Sequence, residues 1–255
     1  MQIIAALPEL HAWMRECGQL ARSYFNQAEV SYKADKSYVT NADVEIERLL
    51  VERLRNRYPN SGIIGEEGTR IGNDQEYIWA LDPIDGTGSF VSGLATWGIS
   101  LGLLHNAKPI LGICYMPVTD DLYWNEADKA FWNEHEIQAV NPEEWHSEQW
   151  ISIPSNAHRR YQNSFPAKCR SLGAIISDLC YVARGSSLAA LIGRCSLWDL
   201  AGALAILEAA GGSYIGLSGQ KPKIEDLYSG TVLPEPIIAA HPEQLDKLRS
   251  YIQPL

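Results

Sequence analysis

The chain predicts an α+β or layered α/β fold, and three observations carry that expectation. Segments with helical spacing and segments that read as strands are mixed without the regular βα alternation of a barrel or a doubly wound sheet. Hydrophobic residues make up 46% of the 255 residues and charged residues 20%, the balance of an ordinary globular protein. That length is enough for one large domain or two close-packed subdomains with a substantial core.

The elements follow in order. From Pro8 to about Gln27, Leu10, Trp13, Met14, Cys17, Leu20, Ala21, Tyr24 and Phe25 fall at helical spacing, with Pro8 suited to a first turn. SYKADKSY (31–38) is polar and reads as a loop or a mobile hairpin. Thr40-Asn41-Ala42-Asp43 opens a second helix, with Val44, Leu50 and Leu54 near one face and Pro59 beyond its end. GIIGEEG (62–68) reads as a short buried strand ending in acids, and Tyr77–Leu81 as another. The segment beginning TWGISLGLLHNAKPILGICYM continues as strands joined at the turn HNAK. Residues 125–150 read as polar and irregular, and a strand restarts at Ile151. Leu188–Ile192 is short and apolar, and SLWDLAGALAILEAAGG (196–212) is a helix ending in glycines. A last strand in PIIAAHPEQLDKLRSYI leads into a helix opened by His241-Pro242.

Charge and cysteine usage exclude several functions. The formal charge of −10 argues against a general nucleic-acid binder, which needs a basic face. No run approaches the roughly 18 apolar residues that span a bilayer, and MQIIAALPEL lacks the basic start and apolar run of a secretory signal. Cys17, Cys114, Cys169, Cys180 and Cys195 form no CxxC pair and read as unpaired thiols in a reducing compartment, so the expected location is the cytoplasm. None of the six histidines sits in a motif.

The chemistry concentrates in acids near turns. In WALDPIDGTGSF (79–90), a strand ending at Asp82 is followed by Pro83, which stops the strand, and by the turn pair Asp85-Gly86. Thr87 then begins a helix through GSFVSGL. That turn would put Asp82 and Asp85 on one side with the Ile84 carbonyl free between them, hard oxygen donors of the kind Mg²⁺ takes. The amides of Gly86 and Thr87 would then face a phosphate. The plainer alternative is an Asx turn and an N-cap. Glu66 and Glu67 follow a strand and are equally at home in solvent. Asp199 is a metal ligand or an N-cap of the helix after Trp198, and Asp43 has a similar alternative in a capping box with Thr40. Metal binding requires Glu66, Asp82, Asp85 and Asp199, distant in sequence, to converge.

Gly65-Glu66-Glu67, Asp82-Pro83-Ile84-Asp85-Gly86-Thr87 and Trp198-Asp199-Leu200-Ala201-Gly202, in that order, resemble the inositol monophosphatase family, Mg²⁺-dependent and lithium-sensitive phosphomonoesterases. The similarity extends to VTNAD (39–43) and IIAAHPEQLDKL near the end. It implies a layered α-β-α-β-α sandwich, a homodimer, two or three Mg²⁺ ions and a small phosphorylated substrate. It also implies a single phosphatase unit over residues 1–255. About 1–150 would form the metal-site half, and about 151–255 would supply Asp199 and the leaving-group pocket.

By that resemblance Glu66, Asp82, the Ile84 carbonyl and Asp85 hold the first metals, and Asp82, Asp85 and Asp199 a second. Asp85, Gly86, Thr87 and Asp199 contact phosphate. Glu66 and Thr87 orient the attacking water, with Asp43 and Glu67 nearby and Lys33 or Lys36 on the loop beside the site.

Departures from the family pattern lie elsewhere. Gly88-Ser89 follows Thr87 where the family often reads TN or KN. Ile192 stands where inositol-cleaving members carry a Glu, and the sugar-contacting stretch reads Gly173-Ala174-Ile175-Ile176. A pocket without that carboxylate is not expected to favour the same alcohol. Trp97 and SLWDLA are similar to the histidinol-phosphatase branch, and relatives acting on adenosine or fructose bisphosphates are further alternatives. A function of a different class is a regulatory or partner-binding protein on the same fold.

Overall fold

Residues 6–255 are described by the computed structural model. Two amphipathic helices form its outer layer. α1 (Leu7–Tyr24) buries Leu10, Met14, Cys17 and Ala21, and Pro8 lies in its first turn. α2 (Asn41–Arg57) buries Ala42, Ile46, Leu50 and Leu54 along one stripe, but Val44, expected near that face, is exposed. At the start of α2 the Asp43 carboxylate accepts from the Thr40 N–H (2.8 Å) and hydroxyl (2.5 Å). Between the helices, β1 (Val30–Tyr32) and β2 (Tyr38–Thr40) make an antiparallel hairpin.

These helices cover an eight-stranded sheet of order β10-β9-β8-β7-β6-β5-β3-β4. Its strands are β3 (Gly62–Gly65), β4 (Arg70–Ile71), β5 (Tyr77–Asp85), β6 (Gly98–His105), β7 (Lys108–Met116), β8 (Asp121–Glu126), β9 (Lys129–Trp132) and β10 (His135–Ile137). Only β3 and β5 pair in parallel. Alternation sorts their side chains between two cores: Ile63, Trp79, Leu81, Leu101 and Ile113 pack with α1 and α2, and Ile64, Ile78, Ala80 and Cys114 face the opposite side.

Two expectations fail here. Residues 125–137 are not irregular, because β9 and β10 continue the sheet. Their turns are tight, with Ala127 and Asn133 at positive φ, and Ala130 and Ile137 point into the core. Pro83 also does not end β5, which resumes pairing at Asp85 opposite Gly98 after a register shift. A bulge tolerates a residue without an N–H where a regular ladder does not.

The inner face of this sheet packs on α4 (Ile175–Ala183) and α5 (Leu197–Ala209). Beyond them lies a second sheet of order β13-β11-β14-β16-β15, made of β11 (Trp150–Ser152), β13 (Lys168–Arg170), β14 (Ala189–Ile192), β15 (Ser213–Gly216) and β16 (Ile237–Ala240). α6 (Leu245–Arg249) closes the far face. The layers are therefore α-β-α-β-α. Two short strands, β12 (Tyr161–Asn163) and β17 (Ile252–Pro254), pair at the edge. Sandwiched between sheets, α5 is apolar on nearly all sides. Each fully buried leucine, such as Leu200, Leu204 and Leu207, contributes about 1.5–3 kcal/mol.

α5 comes unusually near the first sheet. A Cβ on Gly102 would lie 2.5 Å from the Gly202 nitrogen, and one on Gly112 would overlap the Gly202 carbonyl. Glycine at 102, 112 and 202 thus sets the helix depth and the position of Asp199 in its first turn. Cys17, Cys114, Cys180 and Cys195 are buried and Cys169 is exposed, all as free thiols. Among the described residues no helix is long and apolar enough to cross a membrane.

Candidate metal and phosphate site

The bulge at the end of β5 and the first turn of α5 bring three acids together. One carboxylate oxygen from each of Asp82, Asp85 and Asp199 lies within 4.8 Å of the other two. The turn at Asp82 is an Asx turn and also contributes to the acid cluster. The Ile84 N–H donates to Asp82 Oδ1 (3.0 Å), an Asx turn, while Asp82 Oδ2 is buried without a partner. Asp199 is not the N-cap of α5, a place Ser196 takes; it is the third helical residue, accepts from the Ser196 N–H at 2.6 Å in a capping box, and still reaches the cluster. Asp85 accepts from the Ile176 N–H at 2.6 Å, which ties α4 to the site. The Ile84 carbonyl is not free, since Thr87 Oγ1 donates to it at 3.0 Å.

Buried acids this close penalise one another's charge. Burial, followed by the charges of Glu66, Asp85 and Asp199, holds the Asp82 carboxyl well above the usual range. Burial and Asp199 do the same to Asp85, against the opposing Ile176 hydrogen bond. Asp199 rises to about 7 through burial and the charge of Glu66. An oxygen-only donor set with an unpartnered buried oxygen fits a hard divalent cation.

Glu66 and Glu67 flank this cluster. The β1–β2 hairpin places Lys33 Nζ 2.7 Å from Glu66 Oε1 and 2.8 Å from Glu67 Oε1. Burial works against the Lys33 ammonium, but the two carboxylates outweigh it and raise its pKa. Lys36 sits exposed at the hairpin turn, its N–H bonded to the Lys33 carbonyl, so it is Lys33 that reaches the acids. Burial lifts Glu67 to about 7 against the Lys33 hydrogen bond. Asp43 is fully buried with Oδ1 unpartnered, and burial lifts it to about 6 despite its two bonds from Thr40.

Gly86 adopts φ 83° at the start of α3 (Thr87–Val91). A Cβ there would lie 2.7 Å from Ala174 Cβ and 2.9 Å from the Gly173 carbonyl, so glycine lets that loop close on the turn. Asp85, Gly173, Ala174 and Ile192 line a cleft of about 330 Å³ beside the acids.

Some residues here are invisible to motif reading. Glu47, four residues after Asp43 on α2, accepts from the N–H groups of Glu67 (2.8 Å) and Thr69 (3.1 Å) and from the Thr69 hydroxyl (2.6 Å). A buried acid on an otherwise apolar helix stripe was the available signal. Asp178 on α4 lines the cleft, and burial pushes its carboxyl up to about 8. Arg160 and Arg194 stand in the same wall, and nothing local in the sequence marks them.

A family profile described as the inositol monophosphatase family matches residues 6–253. A protein of Aquifex aeolicus named fructose-1,6-bisphosphatase/inositol-1-monophosphatase is 30% identical, over 84% of this chain and 86% of its own. The Nus factor SuhB of Xylella fastidiosa is 26% identical, over 83% and 82%. In fold, the chain resembles the Thermotoga maritima IMPase, with a TM-score of 0.83 and 24% identity over 97% of this chain and 96% of that one. The matched profile spans both sheets and every acid of the cluster, and the chain belongs to the inositol monophosphatase family.

Proposed function

We propose that the protein hydrolyses a small phosphate monoester in a Mg²⁺-dependent reaction at the Asp82–Asp85–Asp199 cluster. The observation that carries this reading is the convergence of those three carboxylates within 4.8 Å. Buried acids of like charge are strongly unfavourable without a compensating cation, and Asp82 Oδ2 has no other partner. Asp82, Asp85 and Asp199, with Glu66 and the Ile84 carbonyl, would hold two or three ions. Bound there, Mg²⁺ supplies positive charge to the phosphoryl oxygens and acidifies water.

The chain's own groups do the rest. Thr87 and Glu66 orient the attacking water, and Glu66 takes its proton, with Asp43 and Glu67 close by. Lys33 must release Glu66 for that role. Asp85, Gly86, Thr87 and Asp199 position the phosphate. The water oxygen bonds to phosphorus, the ester P–O bond breaks, and the departing alkoxide is protonated to the alcohol. Residues 1–150 carry most of the metal site, and 151–255 supply Asp199 and the cleft that receives the alcohol. The unit acts in the cytoplasm as a homodimer.

Phosphate release from inositol 1-phosphate, histidinol phosphate, sugar phosphates and nucleotides, with Mg²⁺ and with chelator, tests this reading. Release that chelator abolishes is expected. No release from any ester, with calorimetry showing Mg²⁺ bound, would overturn it. The name of the Xylella fastidiosa relative favours a second reading, in which the fold serves as a partner-binding factor. Under that reading a stable macromolecular complex would persist in Asp82→Asn.

A further inference from the structure

Arg70, on the edge strand β4, reaches both halves of the metal site through backbone and ring rather than through its carboxylates. Its Nη1 donates to the carbonyl of Gly65, the residue before Glu66, and to the Thr69 carbonyl at 2.7 Å. The same guanidinium sits over the indole of Trp198, the residue before Asp199, with Cζ 4.8 Å from the ring centre. A third segment closes on it before β16. Gly230 adopts φ 82° there, and an added Cβ would lie 3.1 Å from Arg70 Nη2.

Glu66 and Asp199 need such a connection. One follows β3 and the other lies in the first turn of α5, and their like charges repel. Lys33 offsets that repulsion by pairing with Glu66 Oε1, which occupies an oxygen that a cation needs. Arg70 instead holds the backbone before one acid and the ring before the other, and leaves the carboxylate oxygens free. Arginine suits the task, because its planar fork donates in the plane while its face stacks on an aromatic ring; a lysine ammonium has no such plane. The loop is held from the other side by Glu47, which accepts from the Glu67 and Thr69 N–H groups. Residues 65–70 are thus tied to α2 through Glu47 and to α5 through Arg70.

We infer that Arg70 is a positioning residue of the metal site, holding the Glu66 loop against the first turn of α5 so that Glu66 and Asp199 arrive together at one cation. It acts through Gly65 and Trp198. Its charge alone would do the opposite, since a guanidinium near the site repels Mg²⁺. Removing Arg70 therefore lowers Mg²⁺ affinity if it positions, and raises affinity if only its charge matters. This inference rests on the metal-dependent reading above and deepens it.

The test titrates Mg²⁺ calorimetrically into wild type, Arg70→Ala and Arg70→Lys. Arg70→Ala should bind Mg²⁺ about tenfold more weakly, and Arg70→Lys, which keeps the charge but not the fork, should recover only part of that. In hydrolysis, the Mg²⁺ concentration for half-maximal rate should rise by the same factor, with kcat at saturating Mg²⁺ within about threefold of wild type. Hydrogen exchange in chelator gives a metal-free readout. Arg70→Ala should speed exchange both at residues 66–70 and at residues 197–200, which lie in different halves of the chain. Unchanged or tighter Mg²⁺ binding in folded Arg70→Ala, or loosening confined to residues 66–70, would overturn the role. If Arg70→Ala does not fold, wild-type affinity in Arg70→Lys would overturn it equally. Absence of hydrolysis from every ester defeats the phosphatase reading, yet Arg70-dependent Mg²⁺ binding would still uphold the positioning role. Wild-type protein that binds no Mg²⁺ would remove both.

Discussion

The Glu47 carboxylate holds the backbone of Glu67: Oε2 accepts from the Glu67 N–H at 2.8 Å while Oε1 takes the Thr69 N–H and hydroxyl. An acid on α2 thereby fixes the loop that carries Glu66 beside the acid cluster. The packing is tight, since a Cβ on Gly65 would lie 2.5 Å from Glu47 Oε2.

Glu47→Ala therefore strips three donors of their acceptor at once. A charge-assisted acceptor with several buried donors is worth about 1–3 kcal/mol, so urea unfolding should show a loss of that size. Glu47→Gln keeps one acceptor oxygen and should recover part of it. Because Glu66 rides on the same loop, Mg²⁺ affinity measured by calorimetry should fall in Glu47→Ala. Unchanged affinity would detach Glu47 from the site.

The cluster acids should behave in opposite ways with and without metal. Asp82→Asn, Asp85→Asn and Asp199→Asn each remove a ligand worth several kcal/mol of transition-state charge stabilisation, so kcat should fall at least about 100-fold. Without metal, the same change relieves repulsion among buried carboxylates. For Asp82→Asn the metal-free Tm should rise, by about 2–4 °C for each 1 kcal/mol relieved. Mg²⁺ should then raise Tm less than in wild type. Scanning calorimetry in chelator and in Mg²⁺ reads both signs.

Asp178, beside Asp85 in the cleft, gives a further pH prediction. Burial lifts its carboxyl from 3.8 to about 8 in the folded state. The native protein thus holds a proton that the unfolded chain has released, and this contribution to stability is full below pH about 4. It is lost as pH rises through 8, with a limiting slope of about 1.4 kcal/mol per pH unit. Asp178→Asn should flatten the decline of Tm between pH 5 and 8. A curve parallel to wild type would show that Asp178 is ionised in the folded state.

What the sequence could and could not show follows from the range of each interaction. The helical stripes of α1 and α5, and the acids around Pro83, are local patterns read directly from residue order. Asp199 was legible through the motif order that resembles the inositol monophosphatase family, and Lys33 only as one of two lysines, with Lys36, on the loop beside the site. α4 escaped because IISDLCYVA lies between two sheets and buries both faces, so Ser177 and Asp178 interrupt any apolar stripe. β9 and β10 escaped because three- and four-residue strands are too short for alternation to stand out. Arg160 and Arg194, distant in sequence, come to one cleft only in the folded chain.

The depth of α5 yields the last prediction. Gly202 faces β6, where an added Cβ would sit 2.7 Å from Ser100 Oγ and 3.0 Å from the Leu101 carbonyl. The serine hydroxyl can rotate but the strand backbone cannot, so Gly202→Ala must push α5 outward by a few tenths of an ångström. Overpacking of this kind costs about 1–3 kcal/mol, which urea unfolding would detect. The helix also carries Asp199, three residues before Gly202, to the cluster formed with Asp82 and Asp85. Displacing it should weaken Mg²⁺ binding although no ligand has been changed. Gly112→Ala meets the Gly202 carbonyl, which is backbone with no rotamer to give, and should be the more damaging of the two. Equal stability and metal affinity in both variants would show that the helix–sheet spacing does not set the position of Asp199.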